Sequence, residues 1–179
     1  MELPLHLILG GSGSGKSRHA EAVALARNLP VTYLATYAAI ASDAEMEERL
    51  NRHRRRRPSH WITVENRFDL KEIFRERRDS LILLDCLTLW LSYRQMSNHS
   101  EESILAELEE ALRSIDPGSP GLIVVSDEVG MGLIPATAEG RKFRDLVGRA
   151  NQLVAGLAPR VEFVAAGLPL TLKGKGASS

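Results

Sequence analysis

Cysteine occurs once, at Cys86, so the chain cannot form an internal disulfide. That fits a reducing compartment, and a cytoplasmic location is expected. Neither sign of charge is in excess, since 23 Lys and Arg balance 23 Asp and Glu. The balance argues against a protein that coats nucleic acid or anionic membrane by bulk charge. No apolar run approaches the ~20 residues of a membrane span. The longest, Leu81 to Leu91, is interrupted by Asp85. The opening MELPLHLILGG has neither a basic region nor a small-residue cleavage site, so no secretory signal is expected. Low-complexity stretches are few and 44% of the residues are hydrophobic, which argues against disorder. At 179 residues the chain is expected to form one domain, 1–179, with a substantial core.

The residues that are present alternate strand and helix patterns. Leu5 to Leu9 reads as a short buried strand that stops at glycines, and Ser17 to Asn28 is Ala-rich and helix-forming. Val31 to Thr36 is a second strand. Asp43 to about Arg56 reads as a highly charged helix capped at Ser42 or Asp43. Trp61 to Glu65 reads as a short strand and Phe68 to Arg77 as a helix. Ser80 to Asp85 is an apolar strand ending in an acid. Glu101 to Ile115 is an amphipathic helix. Leu122 to Ser126 is another apolar strand, with Asp127 and Glu128 after it. Thr137 to Leu157 is a long helix with Phe143, Leu146, Val147, Ala150, Leu153, Val154 and Leu157 on one stripe. Val161 to Ala166 reads as the last core strand, and Lys173 to Ser179 as a frayed tail. Short continuous apolar strands between helices imply an α/β fold with a mostly parallel sheet covered on both faces.

Gly10, Gly11, Ser12, Gly13, Ser14, Gly15, Lys16 and Ser17 match G-x-x-x-x-G-K-[ST], with a strand before and a helix after. Glycines let successive N–H groups turn toward phosphate oxygens, and the helix start adds its positive dipole end. Lys16 is expected to reach the β- and γ-phosphates, and the Ser17 hydroxyl to ligate Mg²⁺. The plain alternative is a flexible Gly/Ser turn. A phosphate-loop enzyme also needs an acid at the end of a core strand. Asp85 is the favoured metal-site acid, and Asp127 and Glu128 are weighed evenly between that role and capping.

The segment Arg49 to Pro58 holds one histidine among arginines. On a helix reaching Arg57, the residues Arg49, His53 and Arg57 share a face. Neighbouring guanidiniums disfavour a second positive charge on the imidazole, which keeps it nucleophilic, and they bind phosphate oxygens bidentately. Those properties suit a histidine that attacks phosphorus. A solvated basic face, or a nucleic-acid patch, is the alternative; the neutral net charge and the lack of interleaved aromatics weigh against nucleic acid. His6, His19, His60 and His99 are read as structural.

These motifs resemble the bifunctional adenosylcobinamide kinase / adenosylcobinamide-phosphate guanylyltransferase family of the cobalamin pathway. The carriers are LILGGSGSGKSRHAE at 7–21, YLAT at 33–36, DAEMEERLNRHRRRRPSHWITVE at 43–65, LILLDCLTLWLS at 81–92, VVSDEVGMGLIP at 124–135 and RKFRDLVGRANQLVA at 141–155. The resemblance implies a RecA-like P-loop NTPase fold and a homotrimer. It also implies two reactions: phosphorylation of the adenosylcobinamide hydroxyl by ATP or GTP, then transfer of GMP from GTP through a guanylylated histidine. That histidine falls on His53. Nucleotide contacts fall on Gly10 through Ser17, on Ala35, Thr36 and Tyr37, on Arg54, Arg55, Arg56 and Arg57, on Glu65 and on Asp85. The catalytic residues expected are therefore His53 and Lys16, with Ser17 and Asp85 toward Mg²⁺.

The sequence departs from the family pattern in three places. Ser12-Gly13 replace a usual Ala-Arg, Asp127 stands where Asn is common, and Arg52 stands where some members have a second histidine. Two other readings stay open: a single-activity P-loop small-molecule kinase, and a RecA-like nucleic-acid-binding ATPase. Leu87 to Leu91 and Val129 to Ile134 are candidate walls for the corrinoid.

Overall fold

A computed structural model describes residues 3–37 and 57–174. The charged helix expected at 43–56 lies outside the described residues. Among the described residues, seven strands form one sheet: β1 (Leu5–Gly10), β2 (Val31–Ala35), β3 (Ile62–Glu65), β4 (Leu81–Asp85), β5 (Leu122–Asp127), β6 (Arg160–Ala165) and β7 (Leu168–Lys173). Their spatial order is β3-β2-β4-β5-β1-β6-β7, parallel throughout except for the antiparallel β6–β7 pair.

Side-chain alternation divides each central strand between two cores. Leu5, Leu7 and Leu9 of β1 face one side and Ile8 the other; Ile82 and Leu84 of β4 oppose Leu81 and Leu83. Strands buried on both faces favour apolar residues at most positions, which is why they read as apolar runs, with His6 of β1 a buried exception. The larger core is covered by α2 (Leu70–Glu76), α3 (Leu87–Met96), α4 (Glu101–Arg113) and α5 (Ala138–Leu157). The opposite face is covered by α1 (Lys16–Ala26) through Ala20 and Ala24. Asp69, Ser100 and Thr137 cap α2, α4 and α5 by accepting backbone N–H groups.

Two elements differ from the sequence reading. Leu87–Met96 is a helix that begins immediately after β4, with Trp90 fully buried and its indole N–H donated to Phe68 O at 2.8 Å. The strand β7 occupies a stretch to which no element is assigned and takes in Lys173, expected to begin the frayed tail but paired with Val161 of β6. It returns from β6 through Ala166 and Gly167, both at positive φ (52° and 80°), the conformation of a two-residue hairpin turn.

Beneath α1 lies a buried charge cluster. Glu162 of β6 receives His19 Nε2 at 2.8 Å and an Arg160 guanidinium N–H at 2.6 Å. His6 Nε2 sits 3.0 Å from the same carboxylate without hydrogen-bond alignment. Burial is the main force on His6 and pulls its pKa from the usual 6.5 down to about 4. Burial pushes Glu162 up, but the hydrogen bonds from His19 and Arg160 outweigh it and hold the carboxyl near 2. Both folded-state values are depressed, so the unfolded chain takes up protons that the folded chain refuses. Stability therefore falls with pH, from about 6.5 to 4 through His6 and from about 4.5 to 2 through Glu162. Urea unfolding measured across that range should show a monotonic acid loss. His6→Leu should flatten the upper arm, and an unaltered slope there would contradict the assignment.

Candidate active site

Parallel pairing brings the carboxyl ends of β1, β2, β4 and β5 to one edge. Gly10 stands in register with Asp127, and Ala35 with Asp85. An open parallel sheet binds ligands at this edge. The phosphate loop springs from β1 here. Gly13 and Gly15 hold positive φ (72° and 92°), and a Cβ at Gly10 would lie 2.6 Å from Val164 O. The loop is tied internally by Ser14 N–H to Gly11 O at 3.2 Å. It is buttressed from the β6–β7 turn by Gly167 N–H to Ser14 O at 2.8 Å. The buttress was invisible in the sequence because β7 was.

The two strand-end carboxylates take different partners. Ser17 Oγ donates to Asp85 Oδ1 at 3.2 Å. Tyr33 from β2 donates its hydroxyl to Asp85 Oδ2 at 2.6 Å. Burial, with Asp85 second, pushes the Tyr33 phenol well above its usual pKa, so it remains a donor. Asp127 instead contacts Lys16: Oδ1 is 2.6 Å from Nζ, which also donates to Gly11 O at 3.2 Å. Glu128, weighed evenly beside Asp127, accepts Gly130 N–H at 2.6 Å.

From Asp85 the site continues along β2 and β3. The Arg57 guanidinium lies 3.7 Å from the centre of the Tyr33 ring, a cation–π contact. Arg57 is also 3.7 Å from Glu65 Oε1. Trp61 stacks on Tyr33 with ring centres 6.4 Å apart. Arg57, Pro58, Ser59, Trp61, Thr63 and Glu65 line a cavity of about 410 Å³. Thus Ser17, Asp85, Tyr33, Arg57 and Glu65 form one connected path. Tyr33 was missed as a site residue; the signal was an aromatic inside a strand neighbouring the acid-tipped one.

The remaining expected residues are placed as follows. Ala35 is buried. Thr36 is fully buried, with Oγ1 donating to Cys86 O at 2.6 Å and accepting Cys86 N–H at 3.0 Å, so it fixes the turn after Asp85. Tyr37 is half-buried at the edge of the described residues. His53, Arg54, Arg55 and Arg56 lie outside the described residues. Leu87 and Leu91 are fully buried in the core and offer no surface, whereas Met131, Leu133 and Ile134 are exposed. Cys86 is buried, and burial pushes its thiol up to about 12, so it is no nucleophile near neutral pH.

Among the described residues, no group of three or more His, Cys, Asp or Glu side chains is arranged to hold a metal. The Ser17 hydroxyl beside the Asp85 carboxylate does fit Mg²⁺, which takes few protein oxygens and completes its shell with water and phosphate. Among those residues, no helix is long and apolar enough to cross a membrane.

Removing the Tyr33 hydroxyl leaves Asp85 Oδ2 short of a donor while keeping the ring under Arg57. Tyr33→Phe should cost about 1–3 kcal/mol of stability, the scale of a hydrogen bond to a charged group. Urea unfolding would measure it, and an unchanged midpoint would contradict this contact.

A family model for cobinamide kinase / cobinamide phosphate guanyltransferase matches residues 6–172. The bifunctional adenosylcobalamin biosynthesis protein CobP of Pseudomonas aeruginosa is 40% identical over 171 residues, spanning 94% of this chain and 97% of that protein. The bifunctional adenosylcobalamin biosynthesis protein CobU of Escherichia coli K12 is 34% identical over 185 residues (93% and 98%). The CobU of Salmonella typhimurium LT2 is 34% identical over 182 residues (93% and 98%). With the phosphate loop, the acid-tipped strands and the whole-length match together, the chain belongs to the cobinamide kinase / cobinamide phosphate guanyltransferase family.

Proposed function

We propose that this chain is a bifunctional adenosylcobinamide kinase and adenosylcobinamide-phosphate guanylyltransferase. The observation that carries the reading is the phosphate loop at the carboxyl edge of the sheet, with Ser17 Oγ held 3.2 Å from Asp85 Oδ1 and Lys16 Nζ anchored on Gly11 O. A triphosphate docked there meets the loop's backbone N–H groups and the start of α1. Ser17 and Asp85 would hold a nucleotide-bound Mg²⁺, which supplies charge neutralisation across the phosphates.

In the first reaction the substrate hydroxyl attacks the γ-phosphorus of ATP or GTP. The bond from that phosphorus to the β–γ bridging oxygen breaks, the nucleoside diphosphate leaves, and the hydroxyl proton is released. Lys16 stabilises charge on the transferred group. In the second, an imidazole nitrogen of His53 attacks the α-phosphorus of GTP and pyrophosphate leaves. The substrate phosphate then attacks the same phosphorus and the imidazole leaves, giving adenosylcobinamide-GDP. Arg54, Arg55, Arg56 and Arg57 would hold the polyphosphate, and Ala35, Thr36, Tyr37 and Glu65 would form the rest of the nucleotide site. The exposed apolar run Met131, Leu133 and Ile134 offers one wall to the corrinoid. A single domain over 1–179, a homotrimer and a cytoplasmic location complete the reading. Light scattering would measure the assembly.

Incubation with Mg²⁺ and α-labelled GTP should leave acid-labile, alkali-stable label on the chain, and none on His53→Ala. Label retained by that variant would exclude His53, and no label on the parent would favour a single-activity kinase. Lys16→Ala should lower both activities by about a hundredfold or more, the scale of losing a preorganised charge contact. Undiminished kinase turnover in Lys16→Ala would remove the phosphate site from this loop. Tight, salt-dependent binding of single-stranded DNA would favour the nucleic-acid ATPase instead.

A further inference from the structure

Lys16 is buried, and among the described residues its ammonium meets the Gly11 carbonyl and, closer, the Asp127 carboxylate at 2.6 Å. We propose that Asp127 is the positioning residue of Lys16. It holds the ammonium in place, competes with phosphate for it, and thereby makes triphosphate binding depend on a divalent cation. The proposal rests on the phosphate-site reading above.

Asp127 cannot withdraw from the site. Its N–H donates to Thr88 Oγ1 at 2.8 Å, its carbonyl accepts Asn151 Nδ2 at 3.1 Å, and its Cα is paired in register with Gly10. Its other carboxylate oxygen lies 3.9 Å from the Cys86 sulfur, a weak donor at most. Whichever way the side chain turns, a negative charge stays beside the cradle. The neighbouring carboxylate is already committed, with Ser17 on one oxygen and Tyr33 on the other.

A triphosphate that takes the Lys16 ammonium must therefore displace Asp127 and then lie against it. Two anions brought together in a part-buried setting repel far more strongly than in bulk water. A divalent cation held toward Ser17 and Asp85 offsets that repulsion. In its absence the Asp127 penalty is felt in full. Asp127 thus touches the ammonium and not the reacting atoms, and it acts through Lys16.

The test is direct binding of a fluorescent, non-hydrolysable GTP analogue to the full chain, in Mg²⁺ and in EDTA, for the parent, Asp127→Asn and Lys16→Ala. In EDTA, Asp127→Asn should bind at least about tenfold more tightly than the parent, a conservative figure for removing one part-buried like charge. In Mg²⁺ the two should differ much less. Asp127→Ser carries the same expectation should the amide variant fail to fold, and thermal melts identify that case. Equal or weaker binding by the neutral variants in EDTA, with Lys16→Ala binding poorly, would overturn the Asp127 proposal and leave the phosphate site standing. Undiminished binding by Lys16→Ala would overturn both.

Discussion

The hydrogen bond from Ser17 to Asp85 is the contact on which the rest of the site depends. Ser17 lies in the first turn of α1 and Asp85 ends a strand on the far side of β5, so 3.2 Å between them joins two halves of the fold. It exists because β1, β4 and β5 run parallel and finish at the same edge: β1 and β5 end together, Gly10 opposite Asp127, and β4 ends at Asp85 opposite Val125, two residues short of them. That in turn requires strands apolar on both faces, sealed by helices above and below. The same registration sets Asp127 against Lys16. The sheet therefore sorts the two acids: one turns toward a hydroxyl and a phenol, the other toward an ammonium.

The orientation of the loop is secured from below as well as from the strand ends. Gly167 in the β6–β7 turn donates to Ser14, and Glu162 on β6 grips His19 on α1. The helix that presents its positive end to phosphate is thus bolted to the strand beside β1. Replacing those contacts with apolar ones would leave the fold possible but the helix free to shift. A cluster this buried also confers sensitivity to acid, because His6 resists protonation and Glu162 resists neutralisation while the chain is folded.

The sequence made the central strands legible because burial on both faces leaves a continuous apolar run, and it made the phosphate loop legible because that loop is a local motif. Asp85 was readable as a strand-end acid. The strand ending at Asp85 was legible, but Leu87–Met96 after it carried no assignment, since no side-chain cap, glycine or proline marks the start of that helix. The strand β7 was hidden because Leu168, Leu170 and Leu172 are exposed, and its pairing with β6 is set by a two-residue turn rather than by burial. Tyr33, Arg57 and Glu65 converge from separate segments, so their contacts follow from the sheet order and not from spacing. Asp127 and Glu128, weighed evenly between metal site and cap, point apart: one faces the Lys16 ammonium and the other turns back onto Gly130 N–H.

The claim at the centre is that a triphosphate sits in the 10–17 loop and draws Lys16 away from Asp127. A crystal structure with Mg²⁺ and a non-hydrolysable GTP analogue tests it most directly. The account predicts phosphate oxygens against the loop N–H groups, Lys16 Nζ on a phosphate, and the metal beside Ser17 and Asp85. A triphosphate bound elsewhere, with the Lys16–Asp127 contact intact, would contradict it.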